Sequence, residues 1–132
     1  YPSLFWEGEG AATLVQNEGF VVEADAATGF LEDKLSMLGL SDREAAEFIT
    51  FWGPRIAERG KALVTFASEE FARQAVYRLT DPSSGAGIVP DTFIRVYIVV
   101  GGVPQTAVPE QKLAPGPIRT GFTAVEWGGT ER

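Results

Sequence analysis

The sequence contains no cysteine and no histidine. The first absence excludes disulfides, thiolate metal sites and thiol nucleophiles. The second removes the commonest transition-metal ligand and the usual general base near neutral pH. Zinc-dependent hydrolysis and any Ser-His or Cys-His mechanism are thereby excluded, and no metal or other cofactor is expected. A chain without cysteine is compatible with an oxidising or a reducing compartment.

Positive charge is scarce as well. Eleven Lys and Arg stand against 18 Asp and Glu, a net charge of −7. Glu7, Glu9, Glu18, Glu23, Asp25, Glu32 and Asp33 all precede Lys34, the first base. Nucleic acid and anionic lipid, both polyanionic, would be repelled, so neither is an expected partner. The apolar runs are too short to span a bilayer, and no membrane insertion is expected in this segment. The chain opens at Tyr1 rather than at Met, so a processed or excised fragment is expected.

What is present is a globular composition. Apolar residues make up 45% and charged residues 22% of 132 positions, with nine Phe, three Trp and three Tyr to fill a core. One domain over residues 1–132 is expected.

Residues 4–6, 13–16 and 19–24 carry strand-like runs, the last two joined by a turn at Asn17-Glu18-Gly19 as a hairpin. Thr28 is placed to cap a helix presenting Phe30, Leu31, Leu35 and Leu38, and Gly39 to end it. Ser41 and Glu44 have the spacing of a capping box, followed by Ala45, Phe48, Ile49, Trp52 and Ile56 at helical intervals. Pro54 predicts a kink near Trp52-Gly53. Residues 62–66 read as a buried strand. A third helix opens at Ser68 and carries Phe71, Ala75, Val76 and Leu79 on its apolar face. Residues 80–90 and 101–117 are rich in turn formers. Residues 93–100 form the strongest strand and 122–127 the last, before a polar tail. The pattern predicts an α+β fold: a single mixed or antiparallel sheet, with an αα-hairpin and one further helix packed mainly on one face.

No phosphate-binding fingerprint fits, because Gly8-Glu9-Gly10 is ringed by carboxylates and Gly85-Ala86-Gly87 leads into a strand. Glu7 and Glu126, each beside a tryptophan, are the carboxylates to consider for glycoside hydrolysis, which needs one acid and one ionised partner across the sugar bond. Tyr1, Trp6 and Trp127 are the candidate binding residues; Trp6 and Trp127 lie near glycine at strand ends, where a ring can be presented to a partner. Arg95 is the one charge inside the most apolar strand. Period-two alternation groups it with Phe93 and Tyr97, opposite an apolar face. A guanidinium there needs a carboxylate, Glu126 first and Glu7 second, and an aromatic ring against its plane.

Four segments, taken in order, carry a resemblance: Tyr1-Pro2-Ser3-Leu4-Phe5-Trp6-Glu7-Gly8, Phe48-Ile49-Thr50-Phe51-Trp52-Gly53-Pro54-Arg55, Pro90-Asp91-Thr92-Phe93-Ile94-Arg95-Val96, and Gly121-Phe122-Thr123-Ala124-Val125-Glu126-Trp127-Gly128-Gly129. Together they resemble an uncharacterised family of bacterial exported or cell-envelope proteins. The resemblance implies export, a place outside the cytoplasm and the C-terminal part of a longer exported precursor, and assigns no catalytic residue. The expected function is a non-enzymatic interaction or adhesion domain that binds a protein or glycan partner at the cell surface. The alternative is a carboxylate-based hydrolase of an envelope glycan, using Glu7 and Glu126.

Overall fold

The computed structural model describes residues 3–9 and 14–132. Its elements are β1 (Phe20–Glu23), α1 (Ala27–Met37), α2 (Asp42–Ala57), β2 (Lys61–Phe66), α3 (Ser68–Gln74), β3 (Leu79–Thr80), β4 (Gly87–Ile88), β5 (Thr92–Gly101) and β6 (Thr123–Glu131). Four strands form one mixed sheet in the order β1-β2-β5-β6, and β3 with β4 make a small separate ladder. The fold is α+β. No helix among the described residues is long and apolar enough to cross a membrane.

The strongest strand of the sequence is central. β5 pairs antiparallel with β2, Val64 opposite Val100, and parallel with β6, Arg95 opposite Glu126 and Val96 opposite Trp127. Its even-numbered residues Ile94, Val96, Ile98 and Val100 join Phe20, Val22, Val64 and Phe66 beneath the αα-hairpin. Leu31 and Leu35 of α1 and Phe48, Trp52 and Ile56 of α2 close this core from above, all buried. The other face is covered too. Leu14 and Ala67 pack on Val99, and Phe71 of α3 stacks on Tyr97 with ring centroids 3.9 Å apart.

Local chemistry explains the hairpin. Ser41 and Glu44 form the reciprocal capping box at the start of α2, each side chain bonding the other's backbone N–H. Gly39, with φ at 101°, turns the chain out of α1 where a side chain would be strained. Residues 102–122 then cross from β5 to β6, as a parallel pair requires. Arg119 on this connection pairs with Glu44 and donates from Nη2 to the Gly39 carbonyl at 2.9 Å, tying the crossover to the helical turn.

Several expectations are corrected. No hairpin joins residues 13–16 to β1: Thr13 lies outside the described residues, residues 14–16 are not a strand, and β1 pairs with β2 instead. Gln16 reaches the sheet by its side chain, Nε2 donating to the carbonyls of Leu63 at 2.9 Å and Val99 at 3.0 Å. Residues 4–6 form no strand. Thr28 lies inside α1, whose N-cap residue is Ala26. Pro54 does not break α2, which runs on to Ala57. It stands in the last turn, and the carbonyl it leaves without a donor belongs to exposed Thr50. α3 ends at Gln74, so Val76 is exposed and Leu79 belongs to β3. Ser68 does not cap α3; its hydroxyl accepts from the Tyr97 N–H at 3.1 Å. The last strand continues through Gly128 and Gly129 to Glu131.

Candidate functional site

The two faces of the sheet bear different clusters, and β6 contributes to both. On the face away from the αα-hairpin, β5 and β6 run in register so that Arg95 stands opposite Glu126. Arg95 Nε donates to Glu126 Oε2 at 2.7 Å, and Nη2 donates to the Ala75 carbonyl at 2.8 Å. The guanidinium lies 4.6 Å from the Tyr77 ring, 5.2 Å from Phe93 and 5.4 Å from Phe71. The Tyr77 hydroxyl donates to the other oxygen, Glu126 Oε1. Burial, the bond to Glu126 and its negative charge push the Tyr77 phenol up to about 12. Burial, then the same carboxylate, raises Tyr97.

Each member of this cluster has a partner. Both Glu126 oxygens are engaged, and Arg95 is held by a carboxylate, a carbonyl and three rings. The arrangement fixes β6 to β5 and closes residues 75–77 over them. It leaves no oxygen of Glu126 turned toward a substrate, so the cluster is suited to holding structure rather than to acid catalysis.

Trp6 caps the same cluster from outside. Its ring is 6.4 Å from Phe71 and 5.7 Å from Tyr77, and the side chain is half exposed. Its neighbours Leu4 and Phe5 are 98% and 81% exposed, which leaves an apolar surface beside it. Glu7 is exposed and makes no hydrogen bond or ion pair among the described residues. Tyr1 lies outside the described residues.

Trp127 is on the opposite face. Residues two apart along a strand share a face, so Val125, Trp127 and Gly129 turn toward the helices. The Trp127 ring lies 5.3 Å from Phe48 and 6.3 Å from Phe51. Trp6 and Trp127, grouped by the sequence as binding residues, are thus separated by the sheet and cannot form one platform.

Beside Trp127 a surface groove of about 530 Å³ opens between β6 and α2, lined by Arg43, Ala46, Glu47, Thr50, Phe51, Arg55 and Trp127. Phe51 is off the buried stripe of its helix and exposed. Arg55, one turn on, lays its guanidinium 3.6 Å from the Phe51 ring centre and donates from Nη1 to the Phe51 carbonyl at 2.6 Å. Arg43 and Glu47 form a loose i, i+4 pair at 4.0 Å on the rim. An apolar floor with two guanidinium groups, a carboxylate and a hydroxyl around it can take a planar or aliphatic group and hydrogen-bond its edges. No group of three or more Asp or Glu among the described residues is arranged to hold a metal ion.

Of the groove residues, the sequence singled out Trp127 as a binding residue and missed Arg43, Glu47 and Arg55. The available signal was Phe51, an aromatic off the apolar stripe followed by an arginine four residues later. No family model, no characterised protein and no solved structure matches the chain.

Proposed function

We propose that this chain is a non-enzymatic interaction domain of an exported or cell-envelope protein, holding a protein or glycan partner in the groove between α2 and β6. The observation that carries the reading is the exposed Phe51 ring, stacked with Arg55 and continuous with Trp127 inside a polar rim. Exposed aromatic and arginine side chains that meet in a concavity are the usual energetic anchors of recognition surfaces. The resemblance of the four segments supports the location. The carboxylate-hydrolase alternative is weaker, because Arg95 and Tyr77 occupy both oxygens of Glu126.

Co-sedimentation with washed cell-wall sacculi, and separately with envelope membranes, tests the reading. The chain pellets with one of these fractions, and Phe51→Ser with Arg55→Ala lowers that binding by about tenfold or more while the melting temperature holds. Equal pelleting of parent and variant, or none with either fraction, overturns it.

A further inference from the structure

Among the described residues, the outer edge of β6 is unpaired. β6 is the last strand in the sheet order, and among the described residues no strand, loop or side chain bonds the backbone groups on its outer side. Exposed edges are ordinarily blunted by proline, lysine, a bulge or a very short strand. β6 has no proline, lysine or bulge and is not short; its charges, which can also blunt an edge, are Glu126, already paired with Arg95, and Glu131 at its end. It runs nine residues, Thr-Ala-Val-Glu-Trp-Gly-Gly-Thr-Glu, and pairs with β5 in unbroken register from Thr123 to Glu131. Such an edge is a template for another strand.

We infer that β6 pairs with β6 of a second copy of this chain, antiparallel about a two-fold axis through Trp127. Trp127 is the midpoint of the strand, so this register engages all nine residues and sets Thr123 opposite Glu131, Ala124 opposite Thr130, Val125 opposite Gly129 and Glu126 opposite Gly128. No two like charges stand directly opposite, although the strand carries two carboxylates and no cation. Glu126 falls beside a residue with no side chain. The two Glu126 side chains meet only on the diagonal, about 7 Å or more apart, each already paired with its own Arg95. On the other face the two Trp127 rings become a cross-strand aromatic pair. The result is one continuous eight-stranded sheet. A net charge of −7 on each copy opposes the association, so salt strengthens it by screening. The inference does not depend on the groove holding a ligand.

Substitutions at Gly128 test the register by sign. A β-carbon there meets only Tyr97, at an ordinary 3.7 Å, so side chains are accommodated. Sedimentation velocity across a concentration series is expected to show a monomer–dimer equilibrium. Gly128→Glu, which sets a carboxylate opposite Glu126 of the second copy, weakens it by about tenfold, and Gly128→Lys tightens it. Gly29, on exposed helix with open space around it, gives the matched controls Gly29→Glu and Gly29→Lys. Equal effects at Gly29 would reduce the result to net charge and overturn the register. A chain that stays monomeric at every soluble concentration overturns the proposal, as do Gly128 variants that shift in the same direction. Hydrogen exchange of the unsubstituted chain gives a second reading: slower exchange of β6 amides as concentration rises supports the pairing, and unchanged exchange contradicts it.

Discussion

Gly129 lies against Trp52 so closely that a β-carbon on it would sit 2.6 Å from Cζ2 of the indole and 2.7 Å from the Ile98 carbonyl oxygen. The absent side chain lets β6 come close enough to β5 for the two strands to pair in parallel. Gly128, one residue earlier, faces the other way with ordinary clearance. Gly129→Ala is therefore expected to cost about 1–3 kcal/mol through overpacking, and Gly128→Ala to stay within about 0.5 kcal/mol. Urea denaturation of the two variants checks the contrast, and equal losses would contradict it.

Arg95 and Glu126 should be energetically coupled. Both side chains are largely removed from solvent, so losing one leaves a charge without its partner. In a double-mutant cycle with Arg95→Met and Glu126→Gln, the coupling is expected at about 1–3 kcal/mol. Additive losses would show that the pair contributes nothing beyond its members.

Tyr77 reports on the same cluster through pH. Its folded phenol is raised from 10.0 to about 12, so the folded protein keeps a proton that the unfolded chain has released. Unfolding then releases a proton in that window, and stability falls as pH rises from 10 towards 12. Ultraviolet titration is expected to find a tyrosine ionising near 12, and Glu126→Gln to bring it part of the way down. The desolvation of the ring remains in that variant, so a full return to 10.0 would contradict the stated order of causes.

Truncation of the helical core is expected to be severe. Phe48→Ala and Trp52→Ala should each cost about 3–5 kcal/mol, because both side chains are buried under the αα-hairpin. Trp52 Nε1 is buried and has no hydrogen-bond partner among the described residues, so Trp52→Phe gives up none of the bonds seen there and should cost clearly less than Trp52→Ala. Ser41→Ala removes one cap, about 1 kcal/mol. Thermal unfolding of the four variants ranks them.

The elements legible in the sequence are those whose pattern is local. The Ser41–Glu44 box and the stripe from Ala45 to Ile56 needed only helical spacing, and β5 announced itself by continuous β-branched and aromatic residues. Arg95 was legible because two-residue alternation placed a charge among rings, and charge balance then indicated a carboxylate on the neighbouring strand. Partner choice was not legible. β1 reads equally well as half of a local hairpin, and only the assembled sheet gives it to β2. Gly128-Gly129 reads as a tail because glycine is rare within strands, and its reason lies in the distant indole of Trp52. Gln111 left no pattern at all. It bonds Phe66 through both its oxygen, from the N–H at 2.9 Å, and its nitrogen, to the carbonyl at 2.7 Å, standing in for a strand just beyond the start of β1. The groove was half legible: Trp127 stood out at a strand end, but its arginines and Glu47 look like any solvated helix face.

The groove between α2 and β6 is the centre of the functional account, and amide chemical-shift mapping tests it most directly. Isotope-labelled chain is titrated with the solubilised envelope fraction that it co-sediments with. Shifts are expected to concentrate in residues 43–55 and 125–128, and to vanish in the chain carrying Phe51→Ser and Arg55→Ala. Shifts gathered instead around Leu4, Phe5 and Trp6, or unchanged in that variant, would contradict the account.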